Sequence, residues 1–413
     1  MQNYVNDYIS THPGLEKRGL TTPLKAIDPS EGLLYGGLPS NLWSMQVGWK
    51  TLLHICPPIG PDTNATWYTT TAENSGTITG GADGLLFTTG ATGGNECGLF
   101  SLVKAGNVTQ ATDSTIQPGD QFDGILLAST ASTTTIGIAF GFGSSGDPID
   151  TEPNDVVWMY KVEGAATMTG RVRGNAGTAA ASSTLQTLPA ANAPFIWRFS
   201  CKLGDMAPTT RITSGASSAT QAVGSTVGMR PGQTISIGSQ SATISTIDSA
   251  TQITLSASIT TTTGDIVVAP GAPTGRTTVT TGASSATQTV GSTAGMVPGT
   301  LLYFVTTDEY RVVSSVASTT SVVLDATLST TTGEVVAVGG ICSGYFAAAL
   351  ADDNSSSATV TSSVFDSSQI AQLRAMLKTP AALGAFLHFS TTDANAKTLQ
   401  AGYAWIGQKR RIG

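Results

Sequence analysis

The chain has 413 residues, a formal net charge of −7, 40% hydrophobic residues and only 11% charged ones. That length buries a sizeable core without disulfides or metal, and hydrophobic content with a small net charge excludes disorder for most of the chain. With 27 acidic against 20 basic side chains, nucleic acid is not an expected partner, because phosphate neutralisation needs clustered Lys and Arg.

Thr, Ser, Ala and Gly replace the missing charge, with 47 glycines in all. β-Branched residues punctuated by glycine turns point to sheets and away from helical bundles. No run approaches the roughly 20 apolar residues of a membrane span, so no membrane association is expected. The opening MQNYVNDYISTHPG has neither the basic start nor the apolar run of an export signal. Cys56, Cys97, Cys201 and Cys342 show no C-x-x-C spacing, and buried, reduced thiols are expected.

Residues 1–75 read as an extended N-terminal arm. Pro13, Pro23, Pro29, Pro39, Pro57, Pro58 and Pro61 interrupt any regular element, and the apolar residues between them have no period. Such an arm is expected to become ordered by lying on a neighbouring subunit. From residue 76 the pattern changes to short apolar runs between Gly, Ser, Asp and Pro breaks: GLLF (84–87), GLFSLV (98–103), FDGILLAS (122–129), TIGIAFGFG (135–143), DVVWMYKVEG (155–164) and FIWRFSCKLG (195–204). These predict the strands of a β-sandwich. In the last run Phe195, Trp197, Phe199 and Cys201 alternate with Ile196, Arg198, Ser200 and Lys202, as a strand with two distinct faces requires.

An internal repeat follows. GASSATQAVGSTVGMRPG begins at Gly215 and GASSATQTVGSTAGMVPG at Gly282, 67 residues later; downstream, Gly264 and Gly333 lie 69 apart. The second copy has gained two residues, which are expected in the hairpin near Asp308. Two copies are too few for a solenoid, so the prediction is two tandem small β modules, 206–272 and 273–340. After Gly340 the first style resumes in GYFAAALADD (344–353), SATVTSSVFD (357–366), GAFLHFSTT (384–392) and AGYAWIGQKRR (401–411). One helix is predicted over 367–378, capped by Ser367 or Ser368, with Ile370, Leu373, Met376 and Leu377 on one face. The fold class is therefore all-β: a jelly-roll-like sandwich (76–205 and 341–413, discontinuous) with two modules inserted and an arm in front.

Motifs for chemistry are scarce. The histidines are His12, His54 and His388, and neither H-E-x-x-H, a phosphate loop nor G-x-S-x-G occurs. The densest acidic stretch, GDPIDTEPND, carries Asp147, Asp150, Glu152 and Asp155. Oxygen ligands in one loop suit Ca²⁺; a solvated acidic turn stiffened by Pro148 and Pro153 is the competing reading. Asp352 and Asp353 follow the same logic. Trp67, Tyr68 and Trp158 are candidate sugar-stacking aromatics, with a core role the alternative for Trp158. No catalytic residue and no cofactor is assigned, and an enzyme is not expected.

The strand pairs TIGIAFGFG with DVVWMYK and FIWRFSCK with GYFAAALADD resemble the sandwich of concanavalin-like or laminin-G-like domains found in phage capsid-associated proteins. The ending Trp405-Ile406-Gly407-Gln408-Lys409-Arg410 after a threonine-rich loop adds to the resemblance, and the GASSAT modules look like small β inserts of phage head and tail proteins. The resemblance implies a virion structural protein on the phage head surface, assembled in the host cytoplasm. Its implied partners are the major capsid protein and copies of itself, as a homo-oligomer with a trimer the first expectation. The alternative it leaves open is a tail or fibre component that binds host-surface glycan.

Overall fold

The computed structural model describes residues 49–55, 69–72, 76–81, 84–91, 95–100, 116–144, 153–174, 181–188, 191–205, 209–224, 226, 229, 231–237, 240–268, 275–350, 359–377 and 383–409. The chain divides into two compact units. One holds residues up to 201 and from 344 onward, apart from 118–120 and 411–413; the other holds 202–343 with those short pieces.

The first unit is a sandwich of two sheets. Its strands before the barrels are β1 (Trp49–Ile55), β2 (Thr69–Ala72), β3 (Thr77–Gly81), β4 (Gly84–Thr88), β5 (Asn95–Phe100) and β6 (Gln121–Thr130), then β7 (Ile136–Gly143), β8 (Val156–Lys161), β9 (Thr167–Arg173), β10 (Ala181–Thr187) and β11 (Phe195–Lys202). One sheet has the order β10-β9-β8-β7, followed by a late strand, then β5-β2. That late strand is Gly384–Thr391, numbered β26 below, antiparallel to both β7 and β5. Strand β7 (IGIAFGFG) and strand β8 (VVWMYK) are buried at every position. Such runs mark strands covered on both faces.

The second unit contains two closed barrels. Strands β12 (Thr209–Ser214), β13 (Ser217–Val223), β14 (Thr234–Ile237), β15 (Gln240–Ser249), β16 (Gln252–Thr260) and β17 (Ile266–Val268) close in the order 12-13-16-15-14-17. Strands β18 (Gly275–Thr281), β19 (Ser284–Val290), β20 (Thr300–Phe304), β21 (Glu309–Ser318), β22 (Ser321–Ser329) and β23 (Val335–Ile341) close in the matching order. Closure removes every free edge, which open sheets must otherwise protect. The cores correspond residue by residue: Ile212 to Val279, Val223 to Val290, Met229 to Met296, Ile237 to Phe304, Leu255 to Leu324 and Val267 to Val336. At the neck the entering and leaving chains touch. The Gly340 amide donates to the Asp205 carbonyl at 2.6 Å, and a Cβ on Gly204 would stand 2.1 Å from the Gly340 carbonyl oxygen. Only glycine fits that crossing.

The chain then returns to the sandwich through β24 (Ser343–Leu350), β25 (Thr359–Val364), the helix α1 (Ser367–Ala375), β26 (Gly384–Thr391) and β27 (Thr398–Lys409). The second sandwich sheet runs β25-β24-β11-β6-β27-β4-β3, with β1 also paired to β27. Strands β11 and β24, which flank the barrels in sequence, are neighbours in this sheet. Between the sheets Phe122 stacks on Phe142 at 4.3 Å, and Phe199 meets both Phe140 and Phe142 at 5.8 Å. The Trp197 indole N–H donates to the Met168 sulfur at 2.7 Å, which satisfies a buried donor.

Two local expectations change. Trp49–Ile55 and Thr69–Ala72, which the sequence assigns to the arm, are strands β1 and β2 of the two sheets. In β1 a register shift between Thr51 and Leu53 accompanies burial of both Leu52 and Leu53. Such a bulge breaks the alternation by which a strand is recognised. Residues 1–48 of the arm lie outside the described residues. The helix is capped by Asp366 and not by a serine: its carboxylate accepts the Gln369 amide at 2.8 Å, and the Gln369 side chain accepts the Asp366 amide at 3.0 Å, a reciprocal capping box. Leu373, Met376 and Leu377 are buried as predicted, while Ile370 is half-buried and Gln369 fully buried.

Candidate functional site

The repeated motif explains itself first as structure. In GASSATQ the last residue is Gln221 in the first barrel and Gln288 in the second, both fully buried. The Gln221 amide N–H group donates to the Ser218 carbonyl at 2.6 Å, and its oxygen accepts the Thr261 hydroxyl at 2.7 Å. Gln288 repeats this with Ser285 at 2.6 Å and Thr330 at 2.7 Å, and both amides also donate to a carbonyl of the neighbouring strand, Gln221 to Ile259 at 3.4 Å and Gln288 to Leu328 at 2.9 Å. Each barrel thus carries a satisfied polar plug, which a buried amide requires. The motif's glycine is equally constrained: a Cβ on Gly215 would lie 2.7 Å from the Thr261 carbonyl, and one on Gly282 2.7 Å from that of Thr330. The repeat therefore encodes barrel closure.

What the barrels present outward is hydroxyl groups. Ser217 and Thr260 pair at 2.7 Å, Thr220 and Thr254 at 3.4 Å, and Thr234 and Thr243 at 3.4 Å; Ser284 and Ser329 pair at 2.8 Å in the second barrel. In the first barrel Thr254 and Thr246 donate to the two oxygens of Asp248 at 2.6 and 2.7 Å. Those bonds, the one from Thr254 foremost, hold its carboxyl below the usual carboxylate range. The corresponding second-barrel residues are Val323, Ser315 and Ala317, so this patch is polar in one copy and more apolar in the other. From Ser314 to Thr320 the β21–β22 tip is exposed throughout. Such a face offers uncharged hydrogen-bonding groups, each worth little by itself.

The sandwich holds a second cluster on one face of the sheet containing β26. His388 Nε2 lies 3.2 Å from Glu96 Oε2, with both side chains buried. Gly98 opposes His388 in register, and a Cβ there would reach within 2.5 Å of the imidazole. Ser390, two residues on and so on the same face, donates its hydroxyl to Glu163. Beside them Trp158 stacks on Tyr160 at 4.8 Å and meets Phe386 edge-on at 6.0 Å, while the Arg171 guanidinium lies 4.6 Å above the Tyr160 ring. No spacing in the sequence announces the His388–Glu96 pair, because its members lie on strands far apart in the chain and only the β5–β26 register joins them.

The residues singled out from the sequence fall as follows. Asp147, Asp150 and Glu152 lie outside the described residues. Asp155 is buried at the start of β8, where its backbone closes the loop on Ser144: the Ser144 amide donates to its carbonyl at 2.9 Å and its own amide donates to the Ser144 hydroxyl at 3.2 Å. Among the described residues, no three His, Cys, Asp or Glu side chains are arranged to hold a metal ion. Trp158 is 3% exposed; Trp67, Tyr68, Asp352, Asp353, His12 and Cys56 lie outside the described residues. Cys97, Cys201 and Cys342 are buried free thiols. No helix among the described residues is long and apolar enough to cross a membrane.

No protein-family model matches the chain, and no curated protein matches it.

Proposed function

We propose that this chain is a non-catalytic structural protein of a bacteriophage particle, one that binds and stabilises the capsid lattice through repeated weak contacts. The observation that carries the reading is the duplication: one chain holds two barrels of identical strand order, both built around the same buried glutamine plug. A catalyst needs one constellation of reacting groups. A module presented twice, with the Ser217–Thr260 hydroxyl pair recurring as Ser284–Ser329, suits a partner that itself repeats, and linked weak sites gain avidity without any new contact. The implied partners are the major capsid protein and further copies of this chain, in a closed symmetric oligomer. For the alternative, glycan binding by a tail or fibre component through stacking aromatics, Trp158 is buried and the remaining candidates, Trp67 and Tyr68, lie outside the described residues.

The test is equilibrium binding of the full-length protein to purified phage heads that lack it. Saturable decoration at hundreds of sites per head supports the proposal. Absence of binding to heads, with binding instead to host-surface polysaccharide, overturns it.

A further inference from the structure

The two barrels differ in one paired feature, and the two halves of the difference meet. In the first barrel the hairpin joining β14 to β15 pairs Ile237 with Gln240. In the second, β20 and β21 pair at Phe304 and Glu309, leaving the longer loop Val305-Thr306-Thr307-Asp308. This loop holds the two residues by which the repeats differ in length. The first barrel in turn carries Arg211 on β12, where the second has Thr278. The Arg211 guanidinium Nη2 donates to the Val305 carbonyl and, at 3.1 Å, to the Thr306 carbonyl. Each copy thus supplies the half that the other lacks.

The receiving loop is built to hold its shape. Asp308 has φ 57°, a left-handed conformation that aspartate tolerates better than most non-glycine residues. Its carboxylate accepts the Tyr303 hydroxyl, and Tyr303 packs on Tyr310 at 4.8 Å. From the other side Glu334 Oε1 accepts the Thr307 amide at 2.7 Å and its hydroxyl at 2.6 Å. Glu334 stands where the first barrel has Asp265, and the extra methylene gives it the reach. Apart from Arg276, the charged residues of the second barrel are Asp308, Glu309, Arg311, Asp325 and Glu334. They concentrate on the hairpin and its neighbouring strands in a module otherwise made of hydroxyls and aliphatics.

We infer that Arg211 and the Val305–Asp308 loop form a one-way clasp that fixes the tandem barrels at a single spacing and orientation, so that Arg211 is a positioning residue for the pair. The guanidinium suits the task because the two N–H groups of Nη2 are held in a fixed plane and aim at two adjacent carbonyls, whereas a lysine ammonium on its flexible stem has no such preset geometry. The clasp stands on this geometry alone. Its consequence, that the two barrels meet a repeating partner at a set separation, rests on the function proposed above. Avidity depends steeply on whether linked sites match the span of their targets.

The experiment places spin labels on full-length protein through bioorthogonal residues at the exposed positions Ala257 and Ala326, which occupy equivalent places in the two barrels, leaving the native cysteines untouched. Pulsed electron resonance then reads the inter-label distance distribution. The wild type is expected to give one narrow distribution. Arg211→Ala should broaden it at least twofold, Arg211→Lys should broaden it in between, and Tyr303→Phe, which frees Asp308 while keeping the ring, should broaden it with Arg211 intact. Narrow distributions in both Arg211→Ala and Tyr303→Phe, with circular dichroism unchanged, would overturn the clasp. Broadening with undiminished head binding would keep the clasp and refute only its link to the proposed function.

Discussion

The glutamine plug gives the most direct physical test of the duplicated barrel. Gln288→Leu keeps the side-chain volume and removes three hydrogen bonds, at 2.6, 2.9 and 2.7 Å, from a fully buried site. Three bonds at about 1 kcal/mol each, with about 1–3 kcal/mol more for polar groups left unsatisfied, are offset by roughly 2 kcal/mol for burying the leucine. The net loss is about 3 kcal/mol, roughly 100-fold in the local opening equilibrium. Hydrogen exchange followed by mass spectrometry on the full chain can separate the barrels, because peptides from 282–290 and 321–330 report on the second and those from 215–223 and 252–261 on the first. Exchange should accelerate in the second barrel while the first is unchanged, and Gln221→Leu should give the mirror image. Acceleration of less than about threefold in the substituted barrel would refute the reasoning, since it would mean that these bonds add little beyond what water offers the open state.

Other substitutions test the sandwich. Gly124→Ala places a Cβ 2.2 Å from the Phe199 ring and should cost about 1–3 kcal/mol by overpacking, read as a lower midpoint in thermal unfolding; an unchanged midpoint would contradict the packing described. Lys161 is 1% exposed and donates to the Ile136 and Val162 carbonyls at 2.6 and 3.2 Å, and burial pushes its pKa from 10.5 down to about 8 against the opposing charge of Glu163. Between those two values the unfolded chain binds more protons than the folded one, so stability should rise with pH across that window. Denaturation across the window between those two pKa values should give the wild type a more positive slope than Lys161→Met, since the other groups that titrate there act on both alike, and equal slopes would refute it. Cys97, Cys201 and Cys342 are buried, and burial with the adjacent charge of Glu96 also pushes the Cys97 thiol up to about 12; all three should resist alkylation in native protein and react fully once it is unfolded, and rapid native labelling of all three would contradict their burial.

The all-β class is legible because strand periodicity and turn residues agree along most of the chain. Strand β11 shows why: Phe195, Trp197, Phe199 and Cys201 are buried, Arg198 and Ser200 half-buried and Lys202 exposed, as alternation predicts, with Ile196 alone of the second face also buried. Strands β9 (TMTGRVR) and β10 (ASSTLQT) do not stand out, because only Met168, Val172 and Leu185 mark them and their pairing partners supply the rest. Strand β1 is hidden by its register shift and by the surrounding prolines. The repeat at Gly215 and Gly282 discloses two similar modules, but closure depends on pairing β12 with β17 and β18 with β23, contacts between the two ends of each module that no local pattern encodes. The clusters with chemical character are the least legible. His388 and Glu96, like Arg211 and Thr306, meet only through tertiary register, and the acidic loop that is conspicuous in the sequence contributes Asp155 to the described residues as a buried loop closure.

The measurement closest to the central claim is the copy number of this chain in purified virions, by quantitative mass spectrometry against the major capsid protein. Decoration of the lattice predicts hundreds of copies per particle, in fixed proportion to the shell subunit. A handful of copies, or absence from the particle, would contradict it.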